Sequence, residues 1–237
     1  MKLIPKQRRF DPITTAIDPS PTGTGIVSYV GDRLIHWWAA TDTKKWIKRF
    51  PNNCFYVNKV KRGEENNRIQ RVVRTLEHID SVVLDGSQEY IAIEDYVLAT
   101  GDKSSGVYQI AELGGPLRIL CSRFAPVRTN DPVSVKLAFT GKGNADKEVM
   151  AEFVMNDITI PEKFKEQWAE LPEKVFWNVA DAIANSFLLR QELKVGLGLI
   201  TVSDMPENLI RVFNRVTKAQ PNCLIDRPFI TEGIWRP

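Results

Sequence analysis

The sequence predicts a mixed α/β protein on a five-stranded sheet, three antiparallel strands followed by parallel ones, with flanking helices. Two observations carry this. Three β-branched runs near the start are separated only by tight turns, so they pair antiparallel. After them, apolar strands alternate with helical stretches long enough to serve as crossovers, which requires parallel pairing. At 237 residues, 43% hydrophobic and 26% charged, the chain can build a core without a disulfide.

The elements follow in order. Residues 1–11 form a basic arm, MKLIPKQRRFD. ITTAID (13–18) reads as a strand ending in an acid, and SPTGTG (20–25) has turn chemistry. GIVSYV (25–30) and RLIHWWAA (33–40) are the next two strands, joined by Gly31-Asp32. Residues 64–80 place Ile69, Val72, Val73, Leu76 and Ile79 at helical spacing. YIAIED (90–95) is a fourth strand, again ending in acids. A helix over 105–114 is expected to break at Gly114-Gly115-Pro116, with LRILCS (117–122) as the fifth strand. Residues 132–143 read as extended, and 144–154 as a helix capped by Asn144. VFWNVADAIANSFLLRQEL (175–193) is the longest helix. A glycine-broken strand at 195–202 and a short helix near 206–217 complete the chain. The expected organisation is an arm (1–11), a main domain (12–193) and a C-terminal extension (194–237).

Composition excludes several classes. Cys54, Cys121 and Cys223 are odd in number and far apart, and only His36 and His78 are present, so neither a disulfide framework nor a zinc site is expected. No long apolar run suits a membrane span, and the basic N-terminus lacks the apolar stretch of a signal peptide, so a cytoplasmic location is expected. Charge is concentrated: residues 44–74 hold ten Lys/Arg against Glu64 and Glu65, a net +8 in a chain of net +3. Lys44 and Lys45 open that segment. Such crowding is the footprint of a polyanion partner, although a solvated basic surface gives the same pattern. Trp37-Trp38 could stack on bases, but such a pair on a strand is more often part of a core.

Three acids stand where chemistry could occur. Asp18 ends the first strand, Glu94 ends the fourth, and Asp181 lies on the long late helix. If the first and fourth strands are parallel neighbours, Asp18 and Glu94 emerge at one sheet edge, and the late helix can add Asp181. Asn178, Asp181 and Asn185 share one face of that helix, beside its apolar stripe. Carboxylates buried together need a cation. Hard oxygen donors suit Mg²⁺, with Mn²⁺ as a substitute. Two such ions about 3.5–4 Å apart, bridged by Asp18, could drive phosphodiester hydrolysis. Taken singly, a strand-end Asp is more often a turn residue and a helical Asp a surface one.

These residues resemble those of the RuvC-type Holliday-junction resolvases, which have the ribonuclease H-like fold. AIDPSPTGTGIV (16–27) resembles the family's opening motif, and IAIEDYV (91–97) the motif whose Glu binds metal. VSVKLAFTGKGNADKEVM (133–150) resembles the segment with two DNA-contacting lysines, here Lys136 and Lys147, eleven apart across a G-x-G turn. NVADAIANS (178–186) resembles the final acidic helix. The resemblance spans roughly residues 13–190. It implies a homodimer that binds four-way DNA junctions and nicks opposite strands, with metal-ligand roles on Asp18, Glu94, Asp181 and Asn178. Asn178 departs from the family's Asp or His. The family's junction-stacking aromatic, three residues after the Glu, is replaced by Val97, with Tyr96 beside it as a candidate. The length of 42–62 and the tail after 193 suggest a diverged, phage-like member, for which the location becomes the host cytoplasm. The first helix, through Leu76 and Ile79, is the expected dimer face. Two other readings compete. One is a non-catalytic branched-DNA-binding protein, and the other an actin-like phosphotransferase or ATPase using SPTGTG as a phosphate loop.

Overall fold

The computed structural model describes residues 10–20, 23–57, 59, 65–95, 105–216 and 222–231. The arm over 1–9 and Tyr96 lie outside them. The sheet has six strands: β1 (Ile13–Asp18), β2 (Gly25–Val30), β3 (Arg33–Thr41), β4 (Cys54–Tyr56), β5 (Tyr90–Glu94) and β6 (Val127–Asn130). Their order across the sheet is β4-β3-β2-β1-β5-β6. β1, β2 and β3 form the expected antiparallel meander, and β5 joins β1 in parallel. The ribonuclease H-like arrangement is therefore present. The sixth strand is β4, which arises inside 42–62 and extends the edge parallel to β3.

Helices cover both faces: α1 (Lys44–Arg49), α2 (Glu65–His78), α3 (Ser105–Ser122), α4 (Pro132–Thr140), α5 (Lys147–Asn156), α6 (Glu162–Ala169), α7 (Glu173–Gly196) and α8 (Glu207–Phe213). Alternation along the strands divides the core. Ala16, Val27, Tyr29, Trp37 and Ala39 pack toward α6 and α7. Ile17, Ile26, Trp38, Ile91 and Ile93 pack toward the face that holds Ile79, Leu117 and Cys121. Trp37 and Trp38 are both buried, so neither is available to stack on bases.

Four local expectations are corrected. LRILCS is the second half of α3. Leu113, Leu117 and Cys121 are all buried at a spacing of four, and that packing carries the helix through Pro116 despite the lost hydrogen bond. The strand expected there is VRTN (127–130), which was missed because Arg128 does not look like a core residue. Residues 132–140 are helical, not extended. Asp131 caps Ser134 N at 2.9 Å, Pro132 opens the first turn, and Gly141 closes it at φ +78. The cap of α5 is Asp146, which accepts from Val149 N at 2.8 Å, and not Asn144. The stretch 195–202 is the end of α7 and a turn, not a strand.

The tail packs on the remainder of the molecule. Met205, Leu209, Val212, Phe213 and Leu224 share a third cluster with residues of α4, α5 and α7. Ile230 then bridges to Val127 on the edge strand β6. Arg128 fastens that segment: it pairs with buried Glu192 (Nε to Oε2, 2.9 Å) and donates to the carbonyls of Arg227 (2.9 Å) and Pro228 (3.2 Å). Among the described residues, no helix is long and apolar enough to cross a membrane.

Of the two side chains expected at a dimer face, Ile79 opens the π-helical turn after α2 and is not available, and Leu76 is half-buried. Ile79 is fully buried, and Leu76 packs against the core. Among the residues whose burial is described, the large apolar side chains left exposed on α2, on the π-helical turn that follows it and on α3 are Ile69, Val73, Val82 and Ile119.

Candidate active site

The site forms where β1 and β5 end. These strands pair in parallel with Ile17 opposite Ile93, so the next residues, Asp18 and Glu94, leave the sheet side by side. Asp18 is buried, while Glu94 keeps a partial opening to solvent. Helix α7 lies across β1, β2 and β3, and contributes buried Asn178 and Asp181.

Two glycines make that approach possible. A Cβ at Gly25 would lie 2.0 Å from the Asn178 carbonyl oxygen and 2.7 Å from Val179 N. At Gly23 it would lie 2.5 Å from Asn178 Nδ2. Gly23 and Gly25 thus form a seat for α7. This makes a phosphate loop in the manner of an actin-like ATPase unnecessary as an explanation for these glycines. Asn185, on the same helix face, holds the frame: it accepts from Asn130 Nδ2 at 2.8 Å and donates to Ile17 O at 3.5 Å. Sequence reasoning put Asn185 beside the site but overlooked Asn130, whose only signal was a polar residue at the end of a very short strand.

The two lysines flank this pocket. Lys147 Nζ is 3.3 Å from Asp181 Oδ2, and Lys136 donates to Ala145 O at 2.8 Å. Lys44 and Lys45 lie outside this group, exposed on α1, which follows β3.

The electrostatics are strained. Burial, reinforced by repulsion from Asp181, pushes the Asp18 carboxyl up to about 8 against the partial relief of Lys147 and Lys136. Burial, then Asp18 and Asp181, holds Glu94 well above the usual carboxylate range. Burial raises Asp181 as well, with Lys147 opposing. For Lys147, burial works downward, but attraction to Asp181, Asp18 and Glu94 outweighs it and holds the ammonium above its ordinary value. Two cationic side chains do not neutralise three acids, and the deficit is one that a divalent ion relieves.

The donor set fits such an ion in kind: three carboxylates and the Asn178 amide oxygen, all hard oxygen ligands. Among the described residues, no three His, Cys, Asp or Glu side chains are drawn together into a closed cage, so the acids would have to close around an ion. Lys147 on Asp181 occupies part of that space.

Comparison with known proteins agrees with the architecture. The chain is similar in structure to Thermus thermophilus RuvC, at 21% identity and a TM-score of 0.50, with 76% of this chain and 96% of that one covered. It is equally similar to T. thermophilus RuvC in complex with Holliday junction substrate, at 20% identity, a TM-score of 0.50 and the same coverage. At that identity the likeness speaks for the fold. No curated protein matches the chain. The family model for the crossover junction endodeoxyribonuclease RuvC matches residues 47–184, a stretch that contains Glu94, Lys136, Lys147, Asn178 and Asp181 and begins after Asp18. That stretch is more than half of the sequence, and the chain belongs to the RuvC family.

Proposed function

We propose that the protein is a divalent-metal-dependent endonuclease that resolves four-way and other branched DNA junctions, acting as a homodimer. The observation that supports this most is the convergence of Asp18, Glu94 and Asp181, acids far apart in sequence, at one edge of the sheet with their charges poorly compensated. A protein that only bound branched DNA would have no use for three such acids beside the phosphate path, since they repel the ligand. Asp18, Glu94 and Asp181 would hold Mg²⁺ or Mn²⁺, two ions per site, with Asn178 as an uncharged oxygen donor. The bound metal would supply Lewis acidity at the scissile phosphate and an activated water. Lys136 and Lys147 bind and orient the phosphate backbone from the opposite wall. Lys147 must leave Asp181 as the DNA enters, which exchanges a carboxylate partner for a phosphate. The proposed nuclease unit is residues 12–193, and the described part of the 194–237 extension packs against α4, α5 and α7.

A labelled four-way junction tests this. Wild-type protein is expected to cut with Mg²⁺, to bind without cutting in Ca²⁺, and to be silent in EDTA. Asp18→Asn and Glu94→Gln should reduce cutting to background while leaving junction affinity within a few-fold of wild type. Full cutting by either variant, or in excess EDTA, would overturn the assignment.

A further inference from the structure

The segment between β3 and β4 takes no part in the proposed chemistry, yet it holds a concentrated group of cations. Its position follows from the strand register. Asp18 pairs with Gly25, Gly25 with Ala39 and Ala39 with Cys54, so these four residues form one row across the sheet. β3 runs parallel to β1, because both are antiparallel to β2. It therefore leaves the sheet at the same edge as Asp18, and Lys44 follows three residues after Thr41. With strands about 4.8 Å apart, Ala39 is roughly 10 Å from Asp18, and α1 begins on the order of 15–20 Å away.

Helix α1 has six residues, far too few to be stable alone. Trp46 and Ile47 pack it against the core cluster under α7, and this leaves Lys44, Lys45 and Lys48 exposed. The lysines are thus mounted on a docked element, not on a free loop. With Trp46, Arg49 and Glu170 they line an open cleft of about 810 Å³. The one acid in that cleft, Glu170, is held by Arg49 through two bonds of 2.8 and 2.9 Å. Trp46 is half-buried with Lys45 Nζ 4.6 Å from its ring, so it offers no bare platform for an unpaired base. Single-strand grooves combine cations with stacking aromatics, whereas a duplex asks only for phosphate contacts.

We propose that α1 is a rail for one duplex arm of the branched substrate, with Lys44, Lys45 and Lys48 receiving its phosphate backbone. The proposal rests on the nuclease reading for the identity of the substrate, but not on its chemistry. At 3.4 Å per nucleotide along a strand, the contact falls roughly four to six nucleotides from the phosphate at Asp18.

Binding to a four-way junction in Ca²⁺, measured as affinity against salt, tests the rail without cutting. Replacing all three lysines by Gln should lower the slope of log affinity against log salt by roughly 2–3, at about 0.9 per phosphate contact. A second measurement needs no variant. Neutral methylphosphonates four to six nucleotides from the mapped cut should weaken wild-type binding, and should add little to the loss in the triple variant. An unchanged slope, or methylphosphonates that weaken both proteins equally, would overturn the rail. So would an equal loss on single-stranded DNA, which would mark a strand exit, or a loss of binding to an acidic protein alone. If the junction is bound with these properties but never cut, the rail stands and the nuclease reading fails.

Discussion

Burial and the neighbouring Asp181 both oppose ionisation of Asp18, and that opposition can be read as stability. The carboxyl has an ordinary value of 3.8 and is pushed up to about 8 in the fold. Between those values the native chain keeps a proton that the unfolded chain has released. The contribution is therefore complete at low pH and is lost as pH rises toward 8. Glu94 and Asp181, also raised, act in the same direction. In EDTA, the melting temperature should fall between pH 5 and 8, and Asp18→Asn should flatten that fall. At pH 8 the variant should melt several degrees above wild type, since one kcal/mol moves a domain of this size by about 2–4 °C. Mg²⁺ should raise wild type and leave the variant unmoved, because an ion that binds only the native state stabilises it. A scanning fluorimetry series across pH, with and without metal, measures all of this. An Asp18→Asn protein that melts below wild type at pH 8 in EDTA would contradict the strain described for this carboxylate.

At the scale of elements, the active site depends on how closely α7 approaches β2. Gly25→Ala would place a methyl 2.0 Å from backbone, which cannot turn aside as a flexible side chain can. It should destabilise by about 1–3 kcal/mol. It should also lift Asn178 and Asp181 away from Asp18, so that cutting falls by more than binding does. Equal losses in both would show that the glycine serves the core alone. The Arg128–Glu192 pair behaves differently. Arg128→Met leaves Glu192 buried without its partner and should destabilise by about 3–5 kcal/mol in urea unfolding, whereas the double change to Met at both positions should recover most of that. If the double variant is no better than the single, the damage comes from releasing the 227–230 strap and not from the orphaned charge. These two elements mark the limits of what the chain reveals in advance. β1 to β3 and β5 were legible as β-branched and apolar runs bounded by turns or acids, and α2 and α7 because their apolar residues fall at helical spacing. β6 was not, since it has four residues and its buried Arg128 finds its partners 64 or more residues away, at Glu192, Arg227 and Pro228. The second half of α3 was misread because Gly-Gly-Pro is a local breaking signal, and long-range packing of Leu117 and Cys121 overrides it. The acids were legible as strand and helix positions. Their partial neutralisation by Lys147 was not, because it depends on the turn that aims α5.

Across the whole molecule, the polar chemistry gathers at one sheet edge, while apolar side chains stand exposed in several places, Val133 and Phe153 on α4 and α5 among them. The acids, Lys136 and Lys147 gather at the carboxyl end of β1 and β5, and the α1 lysines leave the sheet at that same edge. Ile69, Val73, Val82 and Ile119 are left exposed on α2, the turn after it and α3. Ile69 and Val73 are four apart and so share one face of α2. Arg68 joins α2 to α3 through Glu112 at 2.8 Å, which ties the two helices into one surface. A four-way junction has two equivalent strands related by a two-fold axis, and a dimer that uses the same surface on both subunits would present two sites with that symmetry. A stable contact would need about 1,200–2,000 Å² of total buried surface. Four apolar residues alone fall short of that, so polar neighbours on α2 and α3 must form the rim. Wild-type protein should therefore sediment at twice the chain mass of 26.9 kDa at micromolar concentration. Val73→Glu, which places a charge in the middle of the proposed contact, should shift it to the monomer, whereas Leu76→Ala should chiefly lower stability because that residue packs inward. On a junction held in a supercoiled plasmid, the monomeric variant should nick one strand and accumulate open circles, where wild type makes both cuts within one binding event and yields linear product. Linear product at wild-type rates from a Val73→Glu monomer would place the subunit contact on another face.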